Sequence, residues 1–247
     1  MTAAADLTGQ VAVVTGSSSG IGEATARRLA AAGAAVVVNS STSVEAGERV
    51  AASLPNAVYV QGSVAEEGAC QHLVAATLER FGRLDILVNN AGTTELIPHA
   101  DLDAVSDATF RRILDVNLLG TWYLCRAAMP ALRRSDQPVI VNVTSIAGVR
   151  PTGSSIPYAV SKAAINHLTV LLAKACGPVR VNAVAPGLVA TPWTKDWGGL
   201  HALVAQNAPL GRSATAEDIA DTIFGVIQSR YMTGEVVVVD GGLGLVS

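Results

Sequence analysis

The sequence is poor in aromatic residues and in charge. Of its 247 residues only 4% are aromatic and 15% are charged, whereas 50% are hydrophobic. The core must therefore be built from Ala, Val, Leu and Ile, which suits a parallel sheet buried on both faces and closely packed helices. A disordered chain would show the opposite balance of apolar and charged residues.

Cysteine and basic charge are also scarce. Cys70, Cys125 and Cys176 are too few and too scattered for a disulfide framework or a metal cluster, so we expect each to be a core or half-buried side chain. The formal net charge of −3 offers no basic field for nucleic acid. The amino terminus does not resemble a signal peptide, and no basic amphipathic stretch or membrane-length apolar run is evident. We predict a cytoplasmic protein that binds no nucleic acid, membrane or metal.

Short Val- and Ile-rich runs alternate with longer segments rich in Ala, Leu, Glu and Arg. Most of the short runs are apolar on successive residues, which is typical of strands buried on both faces. Their alternation with helices indicates parallel βαβ units with right-handed crossovers. We predict strands at 11–15, 35–39, 58–61, 85–89, 139–143, 180–184 and 236–239. We predict helices at about 20–32, 44–53, 66–81, 105–133, 157–175 and 215–229.

No linker, low-complexity stretch or charge block divides the chain. We therefore interpret residues 1–247 as one domain of α/β class, a doubly wound Rossmann fold with a seven-stranded parallel sheet and helices on both faces. Ligands bind such sheets beyond the carboxyl ends of the strands. The least regular stretch, 187–212, follows the sixth strand, and residues 188–210 within it are predicted to form a substrate lid.

The first strand runs directly into a turn rich in glycine and serine, Gly16-Ser17-Ser18-Ser19-Gly20-Ile21-Gly22. Glycine permits a positive φ and lets the backbone approach a phosphate, and the N–H groups at the start of the next helix point at the anion. A missing side chain at Gly22 allows helix and strand to pack closely. The spacing differs from the G-x-G-x-x-G of many dinucleotide folds, and alone it is also compatible with a plain βα connection.

Further motifs follow at the ends of later strands. Thr15 through Gly22 resembles the TGxxxGxG cofactor motif of the short-chain dehydrogenase/reductase family, and Asn89-Asn90-Ala91-Gly92 resembles the family's NNAG. Ser145 and Tyr158 match the family's Ser–Tyr spacing, and Tyr158 with Lys162 forms its Y-x-x-x-K. The resemblance covers nearly the whole chain, and its pattern is nearest to 3-oxoacyl-thioester reductases.

The family's hydride transfer requires a proton carrier at the alcohol oxygen. Pro157 favours a helix start, which makes Tyr158 and Lys162 neighbours on one helix face. An ammonium about 4 Å from a phenolate contributes roughly 4 kcal/mol at an effective dielectric of 20. Lys162 and the helix N-terminus are therefore expected to lower the pKa of Tyr158 toward neutrality. A lone Y-x-x-x-K is common by chance and is also compatible with an ordinary helix start.

The resemblance implies catalytic roles for four residues. Tyr158 would be the general acid/base, Ser145 would hydrogen-bond the substrate oxygen, and Lys162 would tune Tyr158 and hold the nicotinamide ribose. Asn117 would support a water-linked proton route through Lys162. Thr144 stands where the family often has a second Ser, and it keeps a hydroxyl.

The resemblance also implies a set of cofactor-binding residues. Pro186-Gly187 followed by Thr191 resembles the family's PG…T, in which the backbone of Val189 and the side chain of Thr191 would engage the nicotinamide carboxamide. The whole set is Gly16, Ser18, Ser19, Gly20, Ile21, Gly22, Ser40, Ser41, Ser63, Val64, Asn90, Ala91, Gly92, Tyr158, Lys162, Pro186, Gly187, Val189 and Thr191.

The end of the second strand bears on the choice of nicotinamide cofactor. An acidic residue there would favour NAD, but Ser40 occupies this place and no carboxylate repels a 2′-phosphate. We predict NADP, with NAD as the alternative, although the Arg of a strong NADP site is absent from this loop and from the Gly-rich turn. Ser63 replaces the family's usual Asp before Val64, so adenine is expected to bind more weakly or differently.

The predicted activity is hydride transfer between a nicotinamide cofactor and a secondary alcohol or ketone of apolar or acyl type. The apolar residues expected opposite the nicotinamide are Val149, Ile156, Trp193, Trp197 and Leu200. Arg150 and Lys195 could meet an acidic tail, or be solvated surface residues. The resemblance implies a homotetramer.

Two other functions remain open on the same fold. The first is a non-catalytic NAD(P)-binding regulatory protein, which loss of Ser145, Tyr158 or Lys162 would have favoured, and all three are present. The second is epimerisation or dehydration. Relatives with those activities tend to have a larger carboxyl-terminal region than the one that follows Val236 here.

Overall fold

The structure, a computed structural model, describes residues 6–246. The strands are Val11–Val14 (β1), Ala35–Ser40 (β2), Ala57–Gln61 (β3), Ile86–Asn89 (β4), Val139–Val143 (β5), Arg180–Pro186 (β6), Val189–Ala190 (β7), Ala214–Thr215 (β8) and Val236–Val239 (β9). Seven of them form one parallel sheet in the order β3-β2-β1-β4-β5-β6-β9, and β7 pairs with β8. The predicted seven-stranded, doubly wound α/β fold is confirmed. Residues 1–5 and 247 of the predicted domain lie outside the described residues.

Two helical layers cover the two faces of this sheet. The helices are Gly20–Ala31 (α1), Val44–Ala52 (α2), Glu67–Phe81 (α3), Asp107–Leu114 (α4), Gly120–Leu132 (α5), Ile156–Ala175 (α6), Gly198–Asn207 (α7) and Ala216–Gln228 (α8). Ala12 and Val14 of β1 pack with α1, α2 and α8, whereas Val13 packs with α3, α5 and α6. Successive strand residues face opposite layers, which explains the continuous apolar runs.

The predicted helix at 105–133 is interrupted. A π-helical segment, Asp115–Leu119, joins α4 to α5 and contains the buried Asn117. Such segments are rare and often lie at functional sites. Local propensity does not reveal this widening, because the side chain of Asn117 finds its partners outside the helix, on Thr93 and Ser161.

Part of the predicted irregular stretch is regular. Helix α7 lies within residues 187–212 and begins with Gly198 and Gly199. Gly is a weaker helix former than Ala, so the sequence argues against a helix that the fold nevertheless forms.

The remaining composition-based expectations concern cysteines and membranes. Cys70 and Cys125 are buried and Cys176 is half-buried, as predicted. Within residues 6–246, no helix is both long enough and apolar enough to span a bilayer. The same part of the chain contains no group of three or more His, Cys, Asp or Glu side chains that could hold a metal ion.

Candidate active site

A cavity of about 690 Å³ lies beyond the carboxyl ends of strands β1 to β6. This is where ligands bind in doubly wound sheets. Its lining includes Ser145 and every predicted cofactor-binding residue except Gly22. Asn117, the fourth predicted catalytic residue, lies outside the lining.

The Gly-rich turn is shaped by close backbone contacts. Gly16 and Gly20 have φ values of 60° and 57°, which favour glycine. A Cβ at Gly16 would lie 2.9 Å from the Cα of Ala91. A Cβ at Gly22 would lie 2.4 Å from the carbonyl oxygen of Gly16. Gly22 therefore allows helix α1 to pack against the turn, as its missing side chain suggested, and contributes no wall to the cavity.

The segment after β4 is fastened to this turn. The backbone N–H groups of Asn90 and Ala91 donate to Thr15 Oγ1, both at 3.0 Å. Asn90 Nδ2 donates in turn to the carbonyl oxygens of Thr15 at 2.8 Å and Gly16 at 3.1 Å. The side chain of Asn90 therefore positions the Gly-rich turn, although Asn90 also lines the cavity.

The start of α1 fits a phosphate group. Ser19 occupies the N-cap position, and no side chain of the described chain caps this helix end. The first N–H groups of a helix have no partner within it, and Gly20 and Ile21 line the cavity at this point. Backbone donors at a helix N-terminus next to glycines that allow close approach are suited to the pyrophosphate of a dinucleotide.

Helix α6 and strand β5 bring the Ser, Tyr and Lys together. Ser155 caps α6 and accepts from the backbone N–H of Tyr158 at 3.4 Å. Lys162 Nζ donates to the carbonyl oxygen of Val143 at 2.9 Å and lies 5.6 Å from the ring centroid of Tyr158. Ser145 follows β5, and its Oγ accepts from Ala147 N at 3.1 Å. Ser145, Tyr158 and Lys162 all line the same cavity.

The electrostatics of this group differ from the sequence-based expectation. Burial raises the pKa of Tyr158 to about 12, against a smaller lowering by the Ser145 hydroxyl. Burial also lowers the pKa of Lys162 to about 8. The expected lowering of the Tyr158 pKa by Lys162 is therefore not found in the protein alone, where burial is the larger of the two effects on this pKa and Lys162 donates to the carbonyl oxygen of Val143. Tyr158 carries its proton at neutral pH, as an acid must.

The side chain of Asn117 bonds to the backbone of Thr93 and does not line the cavity. Its Oδ1 accepts from Thr93 N at 2.8 Å, and its Nδ2 donates to Thr93 O at 3.1 Å and to Ser161 Oγ at 2.9 Å. A Cβ at Gly92 would lie 3.4 Å from Asn117 Oδ1 and 3.6 Å from Lys162 Nζ. The amide therefore positions the chain beside Lys162, and its predicted part in a proton route stays a prediction.

Both predicted serines at the end of β2 line the cavity, and Ser40 is also bonded within the protein. Ser40 is buried, and its Oγ lies 2.8 Å from Tyr59 Oη and donates to Ser43 O at 3.1 Å. Its hydroxyl is thus already engaged, whereas the exposed Ser41 also lines the cavity. Asn39, which the sequence analysis did not single out, lines the cavity and donates to the carbonyl oxygens of Val60 and Gly62.

The opposite wall is mostly apolar. Trp193 meets Tyr158 edge-on, with ring centroids 6.4 Å apart and planes at 87°. Trp197 and Leu200 also line the cavity. The prediction was wrong for Val149 and Ile156, which lie outside the lining, as do Arg150 and Lys195. The short helix Ile146–Gly148 turns Val149 away, and Gly148 packs so closely on α6 that a Cβ would lie 2.6 Å from the carbonyl carbon of Lys162.

Reductases and a dehydrogenase/reductase are among the known proteins that this chain resembles. A family described as Enoyl-(Acyl carrier protein) reductase matches residues 16–244. A protein of Streptomyces violaceoruber, described as ketoacyl reductase 2 of the granaticin polyketide synthase, is 54% identical over 239 residues, covering 95% of this chain and 96% of that protein. The 3-oxoacyl-[acyl-carrier-protein] reductase of Synechocystis sp. is 37% identical over 248 residues, covering 96% and 98%. The crystal structure of a short-chain dehydrogenase/reductase from Burkholderia xenovorans matches with a TM-score of 0.89 at 38% identity, covering 97% and 99%.

Proposed function

This chain is an oxidoreductase of the short-chain dehydrogenase/reductase family, and on that premise we propose that it uses NADPH to reduce the ketone of a 3-oxoacyl thioester to an alcohol. The observation that carries the proposal is the convergence of Ser145, Tyr158 and Lys162 on one cavity, opposite an apolar wall. The names of relatives that act on ketoacyl groups support the substrate class.

The chemistry follows from the protonation states of these three residues. Bound reduced nicotinamide supplies the hydride. Ser145 Oγ donates a hydrogen bond to the carbonyl oxygen, and Tyr158 transfers its proton to that oxygen as negative charge develops there. Lys162 is cationic below a pKa of about 8 and stabilises the phenolate that remains on Tyr158. The apolar wall excludes water, which strengthens each of these interactions.

The preference for NADPH is supported by the charges of the cavity. No Asp or Glu is found among its described lining residues, so nothing acidic opposes a 2′-phosphate near Ser41. The predicted cofactor residues at Gly16, Gly20 and Ile21 would hold the pyrophosphate, and Lys162 would hold the nicotinamide ribose. NAD remains the alternative cofactor.

Two further properties belong to this proposal. We propose that residues 188–210 act as a lid over the substrate, because Trp193, Trp197 and Leu200 line the cavity from there. We also propose a homotetramer, because Trp122 of α5 and Leu171 of α6 expose large apolar side chains on helices that flank the sheet. Light scattering coupled to size-exclusion chromatography measures the assembly.

The function is tested by following reduced nicotinamide while 3-oxoacyl thioesters of increasing chain length are added, with NADPH and NADH in parallel. Enoyl thioesters of the same lengths serve as controls for reduction of a carbon–carbon double bond. We expect consumption of NADPH only with the ketones, formation of the 3-hydroxyacyl product, and loss of turnover in Tyr158→Phe. Tight cofactor binding without turnover of any ketone would instead support the non-catalytic regulatory function.

A further inference from the structure

The charged residues of the cavity are few and of one sign. Among the lining residues that the structure describes, only Arg112 and Lys162 are charged, although the chain has 20 Asp and Glu against 17 Lys and Arg. Lys162 lies beside Tyr158 at the reaction centre. Arg112 is the other cationic group, and the proposed reaction leaves it without a role.

The guanidinium of Arg112 is held at the cavity wall by two contacts. From α4 its Nη1 donates to Thr93 Oγ1 at 3.0 Å, and its Nη2 donates to Glu95 Oε2 at 2.9 Å. Thr109 Oγ1 donates to the same carboxylate oxygen at 3.1 Å. The side chain of Arg112 is 47% exposed. An Arg has five N–H donors, so the group is oriented but not saturated.

The wall that carries Arg112 continues to the reaction centre. The backbone of Thr93 forms two hydrogen bonds with the side chain of Asn117. The preceding Gly92 lies beside Lys162 and Trp193. Thr94 Oγ1 lies 2.6 Å from Ser154 Oγ, which fastens this wall to the loop after β5. A molecule whose ketone reaches Tyr158 can therefore extend along residues 92–94 toward Arg112.

We propose that Arg112 binds an oxyanion, a phosphate or a carboxylate, on the tail of the substrate. The inference rests on the proposed function in one respect, since the acyl end of the same molecule must reach Tyr158. Arg recognises carboxylate and phosphate with paired N–H donors. The ion pair between Arg112 and Glu95 is half exposed, and exposed ion pairs contribute little to the stability of a fold. A substrate oxyanion can therefore take the place of the Glu95 carboxylate. The substrate is then an acyl thioester with an anionic carrier portion.

The test compares three acetoacetyl thioesters with the same ketone, made with coenzyme A, 3-mercaptopropanoate and N-acetylcysteamine. The first tail carries phosphates, the second a carboxylate and the third no charge. In Arg112→Gln we expect KM for an anionic ester to rise about tenfold, a loss of about 1.4 kcal/mol, with kcat and the KM of the neutral ester unchanged. Glu95→Gln removes the competing carboxylate and should lower KM for the same anionic ester. The anionic ester that responds identifies phosphate or carboxylate as the group.

Several outcomes would overturn the inference. An equal change in KM for charged and neutral esters would mean that Arg112 only supports the 93–95 segment. A weaker affinity of Arg112→Gln for NADPH would assign the guanidinium to the cofactor.

If wild-type protein reduces none of the esters, the proposed function fails. Arg112 is then tested by calorimetric titration of coenzyme A and of 3-mercaptopropanoate into the NADPH-bound protein. Binding of either that is lost in Arg112→Gln supports the inference, and unchanged or absent binding refutes it.

Discussion

The proposed cofactor region around the Gly-rich turn and the proposed lid at 188–210 are built in opposite ways. Around the Gly-rich turn, buried strand ends and backbone atoms approach so closely that Gly22 has no room for a methyl group. In the 188–210 segment, Leu200 and Leu203 are 42% and 55% exposed, and a Cβ at Gly199 would meet nothing within 4 Å. The first region leaves no space for an added methyl group at Gly22, whereas the second leaves space for one at Gly199.

The largest effect is expected where the two regions meet. Tyr158→Phe removes the proton that the reaction requires but keeps the ring against Trp193. General acid catalysis contributes about 10²–10⁴-fold, so we expect kcat to fall by about this factor while the cofactor still binds. Steady-state turnover and calorimetric titration measure the two quantities. A variant that keeps wild-type turnover would remove Tyr158 from the mechanism.

The contrast itself is tested by one methyl group added to each region. In Gly22→Ala the methyl would collide with the carbonyl oxygen of Gly16 at 2.4 Å and with Asn90 Nδ2 at 2.5 Å. Overpacking of this kind costs about 1–3 kcal/mol. We expect a melting temperature lower by several degrees, since about 1 kcal/mol shifts it by about 2–4 °C in a chain of this size. Weaker NADPH binding should accompany this loss of stability.

Gly199→Ala is the matched control in the lid. The residue is the second of α7, and an added methyl group there would contact nothing within 4 Å. We expect a melting temperature equal to or slightly above that of the wild type, by differential scanning calorimetry. Equal losses in the two variants would mean that the lid is packed as tightly as the turn, and the comparison would fail.

The sequence predicted the cofactor region better than the lid region, for a physical reason. Strands buried on both faces must be apolar at every residue, and a phosphate turn must contain glycine, so both leave local signals. Helix α7 begins with two glycines, so its sequence carries no local signal for a helix. Arg112 and Asn39 enter the cavity through the tertiary arrangement of α4 and β2, which no local spacing encodes. The engagement of Ser40 by Tyr59 depends on the register of β2 with β3.

A smaller effect is expected at the adenosine end of the cofactor region. Ser41 is exposed and lines the cavity, whereas Ser40 is already bonded. In Ser41→Asp a carboxylate would repel a 2′-phosphate, and we expect the ratio of NADPH to NADH efficiency to fall about tenfold, or about 1.4 kcal/mol. Ser41→Asn provides the uncharged control of similar size. An unchanged ratio in Ser41→Asp would mean that the phosphate lies elsewhere.

The smallest effect is a pH dependence that arises between the two regions, at Lys162. Because burial lowers the pKa of Lys162 to about 8, the ammonium persists below that pH and is lost above it. A neutral amine donates weaker hydrogen bonds than an ammonium, so NADPH should bind more tightly below pH 8 than above it, by less than about tenfold. Calorimetric titration on either side of this pKa measures the change.

Two variants serve as controls for this slope, the dependence of NADPH affinity on pH. Lys162→Met keeps the length of the side chain and should bind NADPH weakly with no such slope, whereas Tyr158→Phe should retain the slope. If Lys162→Met kept the slope, another group would be titrating, and the buried ammonium would not be the link between cofactor and proton transfer.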